Sequence, residues 1–310
     1  MSSTHSTQQP PITIAIPFYR GLDYLSCTIK SVLAQDSASW RLIVCDDRGG
    51  SEPVEELLRS YQDSRIQYVL NEKNLGMVGN WNKCLELSGE YVTLLHADDQ
   101  LEPSYVSTIL TAISTHSDAA AWCCRTRIIG AQGEPVFSFP DFWKRIIEPS
   151  TKFPYSVLQG EKALARILGG NFIFCPTLCY NRRVLTGDLF NARWRQVQDL
   201  DLMYRVLLAD QSIVVSNTIG YAYRRHEENA TSLQTASLLR FEEESSIYDE
   251  TKEICEKIGW HRAAQVARRK RIIKLSLLYF ALKDLFNGRL ARCRQKIGHL
   301  SRLSHSPVGL

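Results

Sequence analysis

Tyr91-Val92-Thr93-Leu94-Leu95-His96-Ala97-Asp98-Asp99 is an apolar, partly β-branched run that stops abruptly at two adjacent carboxylates. Adjacent acids at the tip of a buried strand are costly to desolvate unless something compensates them. A divalent cation is the usual compensation, because it prefers hard oxygen ligands. In open α/β sheets, ligands gather outside the carboxyl ends of the strands. The segment therefore reads as a metal-and-ligand site on an α/β sheet.

The flanking sequence supplies the rest of that sheet. Ile12-Thr13-Ile14-Ala15-Ile16-Pro17 reads as a buried strand stopped by proline. Leu22, Leu25, Ile29, Val32 and Leu33 follow at helical spacing. Arg41 to Cys45 is a second strand, ending in Asp46-Asp47 and Gly49-Gly50, and Ile66 to Leu70 is a third. Short amphipathic helices are expected over Val54 to Tyr61 and Gly79 to Ser88. Strands alternating with helices imply right-handed βαβ units and a parallel sheet. Further on, the periodicity predicts strands over Ala119–Arg127, Phe172–Tyr180 and Ile213–Ser216, and helices over Gly160–Leu168 and Leu200–Leu208. Residues 134–156 are rich in proline and aromatics and read as an acceptor lid or as a loop packed over the sheet.

The chain has 310 residues, 44% of them hydrophobic, and a formal net charge of +4. That is enough to bury a large core, and too mild a charge to suggest a nucleic-acid partner. The nine cysteines lack the repeated paired spacing of a zinc site. Cys123, Cys124, Cys175 and Cys179 sit among apolar neighbours and read as small core residues. Residues 1–10 are polar and expected to be flexible, with no signal-type apolar region. The longest strongly apolar run, Leu275 to Leu282, is too short to span a bilayer. The expectation is a cytoplasmic protein, peripheral at most on the inner face of the cell membrane.

Two strand ends carry acid pairs, Asp46-Asp47 and Asp98-Asp99. A nucleotide diphosphate needs both kinds of group: one carboxylate to accept a base N–H, another to hold a cation against the pyrophosphate. Either pair alone reads equally as turn residues or helix caps.

Ile16-Pro17-Phe18-Tyr19-Arg20, Cys45-Asp46-Asp47-Arg48-Gly49, Asn74-Leu75-Gly76 with Asn82, and His96-Ala97-Asp98-Asp99 resemble, in that order, the motifs of family 2 glycosyltransferases. Gly170-Asn171, Pro176, Arg182-Arg183, Gln198-Asp199-Leu200-Asp201-Leu202 and Tyr223-Arg224-Arg225-His226 extend the resemblance over roughly residues 11–232. It implies a GT-A fold, a Rossmann-like, mainly parallel sheet flanked by helices, over 11–230, with a helical extension over 231–310. It also implies a metal-dependent, inverting, hexosyltransferase-like enzyme of surface polysaccharide synthesis. Such an enzyme moves a sugar from a nucleoside-diphosphate donor, UDP-linked first, to a glycan or lipid-linked acceptor.

Carried across by motif, Pro17, Phe18, Tyr19, Asp46, Asn74, Gly76, Asn82 and Asp98 would bind the nucleotide. Asp99, with Asp98 and His226, would hold Mn2+ or Mg2+, and Asp199 would be the catalytic base. Three positions depart from the family pattern. His96 stands where the metal motif commonly begins with Asp, and it is expected beside the metal rather than on it. Gln198 replaces the Glu of a Glu-Asp pair, and Trp81 replaces an Arg. The alternatives are a sugar-nucleotide nucleotidyltransferase and a degenerate transferase acting as a binding subunit. The first lacks a Gly-rich phosphate loop after strand one.

From Arg262 to Arg302 there are twelve Lys/Arg and one acid, Asp284, interleaved with Ile272, Ile273, Leu275, Leu277, Leu278, Phe280, Leu282, Leu285 and Phe286. The composition fits an amphipathic helix on an anionic membrane, or helices packed with a solvated basic rim. Asp23, Glu55-Glu56 and Glu242-Glu243-Glu244 are expected to be simply solvated.

Overall fold

The computed structural model describes residues 11–50, 52–137, 142, 144, 146–149, 152–226 and 238–305. The expected flexible segment 1–10, Trp143 of the aromatic segment and residues 227–237 lie outside them. The chain forms two compact units.

The first unit comprises residues 1–158, 173–192 and 211–225. It is built on a nine-stranded mixed sheet with helices. In chain order the strands are β1 (Ile12–Phe18), β2 (Trp40–Asp46), β3 (Ile66–Leu70), β4 (Tyr91–Leu94), β5 (Gln100–Leu101), β6 (Ala121–Ile129), β7 (Tyr155–Leu158), β8 (Cys179–Asn181) and β9 (Ile213–Arg224). The spatial order is β3-β2-β1-β4-β8-β6-β9-β5, with β7 also paired to β9. The first four strands pair in parallel, as the alternating pattern implies. The second half is mixed: β6 runs parallel to β9, while β8, β5 and β7 pair antiparallel.

β1 is buried from Ile12 to Ile16, which is why it reads as continuous rather than alternating. Its one interior polar group, Thr13, is satisfied: the hydroxyl accepts from Arg41 Nε at 2.9 Å and from the Gly89 N–H at 3.0 Å. Helices α1 (Leu22–Leu33), α2 (Val54–Ser60), α3 (Gly76–Glu86) and α4 (Tyr105–Thr115) contribute to this unit. Leu25, Ile29, Val32, Val106, Ile109 and Ile113 point into its core. Glu52 reaches back to the start of α1 and accepts from the Gly21 and Leu22 N–H groups, a cap supplied from thirty residues away.

Two expected strands differ in extent. Phe172–Tyr180 is not one strand: it makes a single 3-10 turn over Cys175–Thr177, and only Cys179–Asn181 pairs with the sheet. Pro176 removes a ladder donor there. Ile213–Ser216 is the start of a twelve-residue strand that continues to Arg224. Polar Ser216-Asn217-Thr218 masks that continuity in the sequence, and β6 shows register shifts opposite it.

The second unit comprises residues 159–172, 193–210 and 226–310. The helical extension expected over 231–310 is thus not a linear block, since it shares a unit with two earlier segments. Its helices are α5 (Gly160–Gly169), α6 (Gln198–Leu208), α7 (Leu239–Lys257), α8 (His261–Arg269), α9 (Arg271–Phe286) and α10 (Leu290–His305). Local chemistry explains the joins. Glu161 accepts from the Arg262 and Ala263 N–H groups and so caps α8. Lys270 breaks α8 from α9 with a left-handed φ of 48°. Its ammonium is held by Asp249 and Ser245, both at 2.7 Å.

Candidate nucleotide and metal site

The spatial order places β2 and β4 on either side of β1, and all three run in parallel. Asp46 at the end of β2, Pro17-Phe18 at the end of β1 and the His96–Asp99 turn after β4 therefore emerge at the same, carboxyl end of the sheet. A Cβ on Gly49 would lie 1.6 Å from the Tyr19 carbonyl oxygen. Only glycine lets the loops after β1 and β2 approach this closely.

Asp46 is buried, and each of its oxygens has a donor: the Arg48 N–H to Oδ1 and the Tyr68 hydroxyl to Oδ2, both at 2.9 Å. Burial and the Asp46 contact push the Tyr68 hydroxyl up to about 12, so it stays a donor. Arg48 itself carries a left-handed φ of 56°. Its side chain donates to the Asn71 carbonyl, which helps hold that conformation. The neighbouring Asp47 is structural. It accepts from Asn71 Nδ2 at 2.8 Å and the Leu75 N–H at 2.7 Å. Asn71 also donates to Asn80, which in turn donates to the Phe18 and Cys45 carbonyls.

Several expected nucleotide contacts take different places. Phe18 is 1% exposed, a core ring, and offers the sheet end its carbonyl rather than its face. Tyr19, half exposed, is the aromatic that remains accessible there. Pro17 is partly buried. Asn74 and Gly76 form an exposed turn, with Asn74 Oδ1 accepting from the Gly76 N–H at 2.9 Å. Asn82 spends its amide on the Phe190 backbone, donating at 2.9 Å and accepting at 3.1 Å. It is a clamp between α3 and the 190 loop. Asn80, two residues earlier, is the amide that faces the β1 and β2 ends.

At the tip of the β4 segment, His96, Asp98 and Asp99 each offer a donor atom, all within 4.8 Å of one another. Asp99 is 1% exposed. Its Oδ2 accepts from the Tyr221 hydroxyl at 2.8 Å and its Oδ1 from the Arg224 N–H at 2.7 Å. Burial and the Asp98 charge drive its pKa well above the carboxylate range, against those two donors. The cause of this arrangement is β5: Gln100 and Leu101 pair antiparallel with Ala222 and Tyr221 of β9, so Asp99 meets that strand head-on. Thr28 on α1 closes the turn from the other side, its hydroxyl 2.7 Å from the Asp99 carbonyl and 2.9 Å from that of Ala97.

Asp98 is the less buried of the two acids. The priority expected for Asp99 as metal ligand is thus reversed in accessibility: Asp99 anchors the turn, and Asp98 is its more accessible carboxylate. His96 stands in the group rather than beside it. Its Nδ1 lies 3.7 Å from Asp99 Oδ2, and its ring stacks on Trp81 at 5.7 Å and 27°. Burial lowers the imidazole pKa, against the Asp98 charge, which favours the neutral ring with a lone pair to give. One imidazole and two carboxylates are a donor set suited to a divalent transition ion, and the residues fit the group that the sequence implies. His226 is not among these three. It lies in the second unit, just past β9.

Asp199 opens α6 in the second unit, half-buried, with Oδ1 accepting from the Leu200 N–H at 2.9 Å. Its neighbours are spoken for. Gln198 donates to the Trp194 carbonyl, and Asp201 accepts from the Trp194 indole and from Arg205. Glu243, expected to be solvated, is 9% exposed. Its carboxylate accepts from the Arg195 and Gln196 N–H groups and so fixes the loop that leads into Asp199. Sequence reasoning missed Tyr221 and Asn80, and it took Glu243 for a solvated residue. None of the three carried a local signal, because their partners are distant in the chain.

Of the aromatic segment, Phe137, Phe142 and Phe153 are exposed, so these three rings are not packed over the sheet.

Parallel strands that bring a buried carboxylate and a His–Asp–Asp group to one carboxyl end are the arrangement expected of a nucleotide-dependent transferase. Residues 13–190 match the profile described as Glycosyl transferase family 2. The chain is 34% identical over 206 residues to the putative colanic acid biosynthesis glycosyl transferase WcaA of Escherichia coli K12, covering 64% of this chain and 67% of that protein. It is 36% identical over 89 residues to an Escherichia coli glucosyltransferase, WfgD, described as using UDP-Glc and GlcNAc-diphosphoundecaprenol. That match covers 28% of this chain and 35% of WfgD. Residues 1–349 of Staphylococcus aureus TarS, crystallised with UDP-GlcNAc, share the fold with a TM-score of 0.59 at 15% identity, over 92% of this chain and 90% of that one. The chain belongs to glycosyl transferase family 2, which sets aside the nucleotidyltransferase alternative.

Proposed function

We propose that this protein transfers one hexose-type sugar from a UDP-linked donor to a hydroxyl of a glycan or lipid-linked acceptor, with inversion, in surface polysaccharide synthesis. The observation that carries the reading is the His96–Asp98–Asp99 group at the carboxyl end of β4, with Asp46 on the strand beyond β1. Support for the donor comes from the UDP-sugar relatives above. Support for the acceptor comes from WfgD and from the exposed rings of the aromatic segment, since sugars stack on aromatic faces.

In this reading Asp46 accepts the base N–H. Asp98, with His96 and Asp99, holds Mn2+ or Mg2+, which when bound supplies positive charge to the departing diphosphate. Asp199 takes the proton of the acceptor hydroxyl as its oxygen bonds to the anomeric carbon. The donor's glycosidic C–O bond breaks on the opposite face, the nucleoside diphosphate leaves with that electron pair, and the configuration inverts. Asp199 suits the role because its neighbours Gln198 and Asp201 are committed to Trp194, which fixes the turn around it.

The test is release of nucleoside diphosphate from a panel of UDP-, GDP- and dTDP-sugars with Mn2+, with the anomeric configuration of the product read by NMR. UDP release with an inverted product is expected, and Asp199→Asn should lower kcat by about 10²–10⁴ at unchanged donor binding. A retained configuration, or a D199N variant with normal turnover, would refute the mechanism. No turnover of any donor, together with tight UDP binding, would identify a binding subunit.

A further inference from the structure

Helix α9 is apolar on two faces. Ile273, Leu277 and Ala281 are buried inside the second unit. On the other side Leu275, Leu278, Leu282 and Leu285 recur at three- and four-residue steps, with 63%, 41%, 45% and 46% of their surface exposed. Phe286 extends that stripe and is 86% exposed. A helix that needed one apolar stripe to pack has two, and contiguous exposed apolar surface of this kind marks an interaction site.

The charges around the stripe have one sign. Arg271 lies one turn before Leu275 on the same face, and Arg289 follows in the turn that ends α9, after Gly288 with its φ of 70°; both are exposed. The acid of this region, Asp284, points inward, where it is buried against Lys296 at 2.7 Å. α9 and α10 therefore present an outer surface of leucine, phenylalanine and arginine without a carboxylate. No helix among the described residues is long and apolar enough to cross a membrane.

We infer that the exposed face of α9 lies in the plane of an anionic lipid surface, its leucine stripe and Phe286 entering the acyl boundary and Arg271 and Arg289 meeting lipid phosphates. The charge pattern selects this occupant over a second copy of the chain. Neither an antiparallel nor a parallel pairing of this face finds an exposed acid between Arg271 and Leu290 to receive its exposed cations Arg271, Lys283 and Arg289. Either leaves those cations without a counter-charge, whereas an anionic bilayer complements them. Apolar side chains on a cationic helix face are the arrangement by which helices lie in a membrane interface. The inference is independent of which sugar or acceptor the enzyme uses.

The experiment is co-sedimentation of the full chain with vesicles of phosphatidylcholine alone or mixed with phosphatidylglycerol, at low and high salt. Binding to the mixed vesicles is expected, weakened by salt and by loss of phosphatidylglycerol. Leu278→Asp with Leu282→Asp should cut partitioning at least about tenfold, because two exposed leucines lose their apolar burial. Arg271→Glu with Arg289→Glu should cut it by about fivefold or more per cation. All four positions are solvent-exposed, so circular dichroism and thermal midpoints should be those of the unsubstituted protein. Equal vesicle binding by the parent and both variants would overturn the inference. So would a dimer in sedimentation velocity that L278D/L282D dissolves, which would assign the face to a second copy.

Discussion

Arg224 and Asp99 are joined through the main chain: the Arg224 N–H donates to Asp99 Oδ1 at 2.7 Å, while its guanidinium donates to the Asp98 carbonyl at 2.7 Å. The same guanidinium also donates to the carbonyls of Gly130 and Ala131. One buried arginine thus ties the acidic tip after β4 to β9 and to the turn after β6. Removing a buried charge that is fully hydrogen-bonded strands its partners. Arg224→Ala should lower the unfolding free energy by about 3 kcal/mol in urea denaturation. Arg224→Lys should restore less than half of it, because one ammonium nitrogen cannot reach carbonyls that the Nε and Nη1 of a planar guanidinium meet from two separate positions.

Asp98 and Asp99 should separate by assay. Asp98→Asn should weaken Mn2+ binding, read by electron paramagnetic resonance of free Mn2+, at least about tenfold with little change in thermal midpoint. The expected loss follows from removing an anionic hard-oxygen ligand. His96→Asp should shift the ratio of Mn2+ to Mg2+ affinity toward Mg2+, because imidazole suits transition ions and carboxylate suits Mg2+. An unchanged ratio would mean that the imidazole does not touch the ion.

Asn82 should behave as a structural residue. Its amide satisfies both the N–H and the C=O of Phe190. Asn82→Ala should cost about 1–3 kcal/mol of stability, the usual penalty for stranded polar partners, and leave the donor KM unchanged. A raised KM at full stability would return Asn82 to the nucleotide.

Glu243 should act on turnover through the loop before Asp199. Glu243→Ala removes the acceptor of the Arg195 and Gln196 N–H groups. It should lower kcat several-fold while UDP affinity, measured by calorimetry, holds. If kcat per folded molecule were unchanged, the placement of Asp199 would not depend on this carboxylate.

His299 should make stability pH-dependent. The side chain is 8% exposed, and neither ring nitrogen has a hydrogen-bond partner among the described residues. Burial lowers its pKa from 6.5, and Arg302 and Lys270 lower it further against Glu242. The unfolded chain therefore binds the proton first. Stability should be full above pH 6.5 and fall as the pH drops from there to the depressed folded value, below which this contribution levels off. His299→Gln should flatten that part of a pH series of thermal midpoints. A profile identical to the parent would exclude His299 as the cause.

The first half of the sheet was legible because local pattern dictates it. Ile12–Ile16 and Leu42–Cys45 are apolar runs with no other use than a strand buried on both faces. The acid pairs at their ends stood out because carboxylates there need a reason. β9 was half hidden, since Ser216-Asn217-Thr218 looks like a loop and its pairing with β6, β5 and β7 is non-local. The difference between Asn80 and Asn82 was equally invisible: two residues on one helix point some 200° apart, and only packing decides which meets the sheet.

By itself the sequence determined an α/β sheet, acids at its strand ends and a basic, apolar helical tail, with an ordered set of motifs that resembles family 2 glycosyltransferases. These follow from residue type and order, which periodicity and motif spacing read directly. The tertiary structure decided what each group does. Asp99 is an anchor because β5 pairs with β9 and delivers Tyr221 and Arg224 to it. Asp98 is the more accessible acid because it sits in the turn just before that pairing. Asp47, Asn82 and Glu243 became structural, and the leucines of α9 divided into an inner and an outer stripe. In each case the physical reason is the same: a side chain's hydrogen bonds and burial come from residues distant in the chain, and only the folded geometry brings them within reach.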